Sequence, residues 1–264
     1  MRIAFFDSGI GGITVLHQAM RLLPDEDYLF YADTLHVPYG EKRKEEVRKY
    51  VFDAAEFIAN QDVKALVVAC NTATSIAVED LRQKYPFPIL GIEPAVKPAV
   101  IESEKRRKKV LVLATKLTLK EEKYHHLVAR IDKHDIVDSL PLPGLVQFAE
   151  HFEFNEEKVA RYLSEQLDSF DTSEYGTVVL GCTHFPYFKD TIKKLFPHDT
   201  AVIDGGPGTA RNLQRVLEAR HLVNQTAQEG TVSFYQSGTK VESEETLRRY
   251  RNLLNRLDEL QTLA

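Results

Sequence analysis

The stretch Val67–Ser75, VVACNTATS, runs from a wholly apolar segment into a cysteine and then into a turn of small polar residues. A second stretch, Val178–Pro186, VVLGCTHFP, repeats the arrangement. The chain has two cysteines in all, and each closes a valine-rich run with hydrogen-bonding side chains directly behind it. Runs so continuously apolar fit parallel strands covered on both faces, as α/β folds require.

Working outward, further runs read as buried strands: Arg2–Phe6, Tyr28–Ala32, Ala65–Ala69 and Pro88–Ile92. Between them lie helical patterns such as Lys44–Asn60, with Val47, Val51, Ala54, Ala55 and Ile58 at helix spacing. The series then begins again with Lys109–Thr115, Asp135–Leu140, Thr177–Gly181 and Thr200–Asp204. Matching Ile3 to Val110 gives an offset of 107 residues, and matching Cys70 to Cys182 gives 112. Any α/β chain shows evenly spaced strands, but two cysteine-ended strands at the third position of each series favour a true repeat. The expected fold is therefore α/β, with two similar doubly wound parallel-sheet domains related by a pseudo-twofold axis and a site in the cleft between them.

After Gly205–Gly208 (GGPG) the pattern gives a helix over Thr209–Arg220, a strand over Thr231–Gly238 and a last helix with leucines at 247, 253, 254, 257 and 260. This tail is expected to return to the first half. The domains then comprise residues 1–96 with 209–264, carrying Cys70, and residues 97–208, carrying Cys182. The leucine stripe can form a dimer seam, although packing on the parent domain is its commoner use. A homodimer is the expected assembly.

Composition excludes several classes. The 264 residues are 43% hydrophobic and 28% charged, with a net charge of −5, which gives no basic field for nucleic acid. The basic cluster Lys105–Lys109 is short and reads as a solvated segment. No apolar stretch is long enough to span a membrane, and the amino-terminal run is too short for a signal peptide. Two distant cysteines make no disulfide framework, so reduced thiols in a cytoplasmic protein are expected.

Ligands of open parallel sheets bind beyond the carboxyl ends of the strands, where both cysteines lie. A helix starting there favours an anion, and lowers a thiol's pKa. A lone buried cysteine is usually packing. Two at equivalent places can instead put one base on each face of a single carbon, which is what stereochemical inversion needs. Asn71, Thr72, Thr183 and His184, with adjacent backbone N–H groups, can supply donors for substrate carboxylates and developing charge.

Other readings compete. Phe6–Thr14, FDSGIGGIT, places Asp7 and Ser8 at the end of strand one, followed by glycines. Gly9 and Gly11 fit a dinucleotide fingerprint, but its third glycine is Thr14, while Asp33 stands where a ribose-binding acid belongs. A nucleotide- or small-ligand-binding protein with structural cysteines is thus an alternative. Cys70, Cys182 and His184 also make a Cys2His set of the kind that holds zinc, without the usual ligand spacing. In the turn Pro38–Lys42, PYGEK, Tyr39 either reaches a ligand or packs. His17, His125 and His126 lie in helical segments and read as surface or packing residues.

Taken together, FDSGIGG, YADTLHVPYG, VVACNTAT, GCTHFPYF, VIDGGPGTA and FYQSG, in this order, resemble the bacterial glutamate racemases of the aspartate/glutamate racemase superfamily. The resemblance covers nearly the whole chain. It implies racemisation of L- and D-glutamate without PLP, metal or other cofactor, supplying D-glutamate for peptidoglycan. It implies Cys70 as base towards D-glutamate and Cys182 towards L-glutamate, with Asp7, His184 and Glu150 in support. Asp7, Ser8, Tyr39, Gly40, Asn71, Thr72, Thr183 and His184 would bind the substrate. An aspartate or other amino-acid racemase of the same superfamily is the neighbouring alternative. The segment Leu142–Glu150, LPGLVQFAE, and the run IDGGPG depart from the usual family pattern.

Overall fold

The apolar runs become strands because both of their faces are covered. A computed structural model describes residues 1–225 and 228–262. Strand β1 is Arg2–Asp7, β2 Tyr28–Ala32, β3 Val63–Val68 and β4 Ile89–Gly91. In the second half β5 is Lys109–Ala114, β6 Val137–Pro141, β7 Tyr175–Leu180 and β8 Ala201–Asp204. The tail adds β9, Val232–Gln236, and the short β10, Thr239–Lys240. Every residue of β2, β3 and β7 is buried.

Two sheets result, with orders β10-β9-β2-β1-β3-β4 and β6-β5-β7-β8. All pairings are parallel except the β9–β10 hairpin. The shared core of the two sheets has one topology, second strand, first, third, fourth. The register slips between Arg2 and Ile3 where β1 meets β3, and between Lys109 and Val110 where β5 meets β7. Those positions are 107 residues apart, the offset seen in the sequence. The halves therefore share a backbone irregularity as well as an order of strands.

The tail joins the first sheet, since β9 pairs with β2 from Tyr28↔Val232 to Ala32↔Gln236. The last helix, Glu244–Thr262, buries Tyr250, Leu253, Leu257 and Leu260 against its own chain. Its Tyr250 ring lies 5.0 Å from Phe234 of β9. His17 is buried with Nε2 2.8 Å from Asp258 of this helix, so it packs, while His125 and His126 are exposed. The helix expected from Thr209 begins earlier, at Gly206. Asp204 Oδ1 accepts the Gly206 N–H at 2.7 Å, and Pro207 stands in the first turn, where its missing N–H costs nothing.

The backbone crosses between the halves after β4 and after β8, and the two passages touch. A side chain at Gly205 would run into the Glu93 carbonyl. One apolar cluster continues through both sheets, from Ile3 and Phe5 to Leu111 and Leu180, and includes Leu213 of the helix Gly206–Ala219. Leu213 is fully buried. Leu213→Ala is expected to cost about 2–5 kcal/mol. The measurement is the urea midpoint by far-UV circular dichroism, and the shared core should give one transition rather than two.

Candidate active site

In the strand order second-first-third-fourth, the direction of winding reverses between the first and third strands, and a crevice opens at their carboxyl ends. In the first sheet those ends carry Asp7 with Ser8 and Cys70; in the second they carry Thr115 and Cys182. The two crevices face each other across one pocket that contains both thiols, Ser8, Asn71, Thr72 and His184. The cavity is tightly closed, with a volume of about 20 Å³.

Cys70 caps the helix Asn71–Lys84, and its sulfur accepts the Ala73 N–H at 3.4 Å. Its thiol also donates to Ser8 Oγ at 3.8 Å. The capping donor favours the thiolate, as the sequence suggests, but it is outweighed. Burial, reinforced by the nearby Asp7 carboxylate, pushes the Cys70 thiol well above its usual range. In this closed arrangement Cys70 is a neutral thiol, and the expectation of a lowered pKa is corrected.

Cys182 is not followed by an α-helix, contrary to expectation. A bend leads into a 3-10 turn, Phe185–Phe188, with Pro186 in it, and the helix Lys189–Lys194 starts only afterwards. The polar support for this thiol comes instead from a side chain: His184 Nδ1 lies 3.6 Å from the sulfur. Its Nε2 lies 2.6 Å from Glu150 Oε1, which also accepts the Ile10 N–H at 2.8 Å. Burial opposes a charge on His184. The hydrogen bonds to Cys182 and Glu150 and their attraction nevertheless hold its pKa well above the ordinary histidine value. The raised pKa favours the imidazolium, and both ring nitrogens already have partners, the Cys182 sulfur and the Glu150 carboxylate. Among the described residues no group of three or more His, Cys, Asp or Glu side chains could hold a metal ion.

Asp7 is fully buried and accepts the Gly9 N–H at 3.3 Å and the Thr183 hydroxyl at 3.1 Å. Burial raises its pKa to about 6, and His184 pulls the other way. The glycine loop does not cradle a nucleotide. It is pressed against the second half, where a side chain at Gly11 would lie 2.5 Å from His184 Nδ1 and Thr183 Oγ1. Asp33, the supposed ribose acid, accepts from Tyr39 Oη at 2.6 Å and from Ser237 Oγ at 2.9 Å, and His36 Nδ1 is 2.9 Å away. Tyr39 therefore packs its ring and ties its hydroxyl to Asp33, while Gly40 sets backbone at the pocket.

Asn71 lines the pocket, and its buried side-chain carbonyl oxygen has no hydrogen-bond partner among the described residues. Thr72 is bonded across the cleft to Thr115 and Thr118, both at 3.0 Å. Thr115 and Lys116 line the pocket and were missed in the sequence. The repeat offset of 107 carries the carboxyl end of β1 onto the carboxyl end of β5 and Ser8 onto Thr115, the residue next to Lys116, so it would have pointed to that lip.

A family model, Asp/Glu/Hydantoin racemase, matches residues 14–213. Glutamate racemase 2 of Bacillus subtilis is 57% identical over 261 residues, 99% of this chain and 98% of that protein. The crystal structure of Escherichia coli glutamate racemase in complex with L-glutamate and activator UDP-MurNAc-ala is similar with a TM-score of 0.78 at 29% identity, covering 94% of this chain and 95% of that one. Francisella tularensis glutamate racemase in complex with D-glutamate gives 0.80 at 27%, covering 96% and 93%.

The buried aspartate has a measurable signature. Its folded-state pKa of about 6 lies above the ordinary 3.8, so its contribution to stability is fully present below pH 3.8 and is lost as pH rises through 6. Asp7→Asn cannot ionise. Its stability relative to the unmodified protein should grow by up to about 3 kcal/mol between pH 4 and 7, read from urea midpoints across that range.

Proposed function

The chain belongs to the aspartate/glutamate/hydantoin racemase family, and from that premise we propose that it interconverts L- and D-glutamate by moving the α-proton between two thiols. The observation that carries this reading is the presence of Cys70 and Cys182, from equivalent strand ends of two similar sheets, in one pocket. The Bacillus subtilis relative's name and the glutamates bound in the two solved structures support glutamate as the substrate.

On L-glutamate, Cys182 acts as the base. Its sulfur takes the α-proton, the electron pair left on the α-carbon delocalises into the carboxylate, and the Cys70 thiol protonates the other face. The high pKa of Cys70 suits the donor. The His184 imidazolium, oriented by Glu150, stabilises negative charge on the Cys182 sulfur before abstraction. The product D-glutamate leaves with the proton from Cys70, so the thiols have exchanged protonation states. In the reverse direction Cys70 is the base and Cys182 the acid.

Asp7, with a pKa near 6, is placed to exchange protons on the Cys70 side, and His184 on the other. Ser8, Asn71, Thr72 and Thr183 hold the amino and carboxylate groups, together with backbone of Tyr39 and Gly40; the buried side-chain oxygen of Asn71, which has no partner among the described residues, can accept from the substrate's ammonium group. The two thiols account for the proton removed and the proton returned, and no step is routed through PLP or a metal. Residues 1–96 with 209–264 form the half that brings Cys70, and residues 97–208 the half that brings Cys182. The protein acts as a cytoplasmic homodimer whose D-glutamate enters peptidoglycan; no helix among the described residues is long and apolar enough to cross a membrane.

The test is circular dichroism of L-glutamate in D2O with EDTA, with solvent deuterium at Cα followed by NMR. Optical activity should decay as Cα deuterates. Cys70→Ser and Cys182→Ser should each slow this by at least about a thousandfold. Near-normal rates in either variant would sink the two-thiol mechanism. Exchange of aspartate but not glutamate would move the substrate within the family.

A further inference from the structure

Two exposed, oppositely charged residues stand on the facing lips of the pocket. Glu41 ends the 3-10 turn Tyr39–Glu41 of the first half, and Lys116 opens the helix Lys116–Lys120 of the second. Both line the pocket. The lips are in close contact, since a side chain on Gly40 would lie 2.6 Å from Thr115 Cβ. Even so, Glu41 and Lys116 form no ion pair with each other or with any described residue. Glu121, the acid on the Lys116 lip, is already held by Lys44 Nζ at 2.6 Å.

His184 lines the pocket, and behind the wall it forms with Thr183 lie Asp7, bonded to Thr183, and Glu150, bonded to His184. A thiolate adds another negative charge when one of the cysteines serves as base. A dicarboxylic amino acid enters such a pocket with a net charge of −1. The neutral hydroxyls and N–H groups of the walls bind its carboxylates without offsetting that charge. The cation lining the pocket besides the imidazolium is Lys116.

We propose that Lys116 is a specificity-determining residue, which draws the side-chain carboxylate of the substrate to the second-half lip and selects an acidic amino acid over a neutral one. Glu41 on the facing lip repels the same carboxylate, so the pair gives the mouth a polarity. This inference rests on the glutamate reading above. An exposed charge acts through solvent, and its effect is correspondingly modest and salt-sensitive.

The experiment measures KM and kcat for L-glutamate at low and high ionic strength, about 0.01 M and about 0.3 M. Unmodified protein, Lys116→Ala, Lys116→Glu, Lys116→Arg and Glu41→Gln are compared. At low salt Lys116→Ala should raise KM about threefold to fivefold and Lys116→Glu about tenfold or more, with kcat moving far less. Lys116→Arg should stay near the starting value, and Glu41→Gln should lower KM. The differences should shrink at high salt. A KM for Lys116→Glu within twofold of the unmodified protein overturns the proposal. So does a rise in KM for both lips alike, which marks a merely structural role. If the unmodified protein leaves glutamate untouched, the failure lies in the substrate reading and not in Lys116.

Discussion

The cleft depends on a contact that tolerates no side chain. Gly11 lies so close to Thr183 and His184 that a methyl group there would overlap both. That approach lets Thr183 reach Asp7 and lets Glu150 accept from the backbone of Ile10 while holding His184. Thr14 then bonds the Thr183 carbonyl at 3.0 Å, and Tyr187 the Ile10 carbonyl at 2.9 Å. Substituting the glycine would separate the halves by the thickness of a methyl group, and every polar contact in the pocket would lengthen with it. Geometry of this kind is what a proton transfer between fixed groups requires.

The two sides of the pocket are chemically unlike although the sheets that build them are alike. On one side a neutral thiol sits beside a buried carboxyl with a raised pKa. On the other, a thiol sits beside an imidazolium whose second nitrogen is anchored. Duplicated backbone supplies the positions, and divergent side chains supply the polarity. A site with two identical thiols would have no preferred resting protonation state.

Much of this was legible because it is written in local pattern. Continuous apolar runs mark strands covered on both faces, and the 107-residue offset between the series of runs reappears in the slipped registers of β1 and β5. Ser8, Tyr39, Gly40, Cys70, Asn71, Thr72, Cys182, Thr183 and His184 carry a motif or resemblance and line one pocket, whereas Thr115 and Lys116 line it and carry no such signal. What failed depended on tertiary closure. The shift of Cys70 is set by burial and by Asp7, neither of which a local capping argument contains. The missing helix after Cys182 reflects Pro186 and the burial of Phe185, Tyr187 and Phe188, which favour a tight 3-10 turn. Helix Gly206–Ala219 begins early because Asp204 bonds its first N–H, a contact that overrides the poor helix propensity of glycine.

The unlike surroundings of the thiols have a thermodynamic limit. Mirror-image amino acids have equal free energies in water, so the equilibrium constant of the proposed reaction is one whatever the protein does. Microscopic reversibility then requires the same kcat/KM for both enantiomers. The imidazolium beside Cys182 and the neutral thiol of Cys70 can make turnover faster from one hand of the substrate, but only with a matching loss of apparent affinity for it. Chemical asymmetry in this pocket can divide a fixed catalytic efficiency between binding and turnover; it cannot favour one enantiomer in the final mixture.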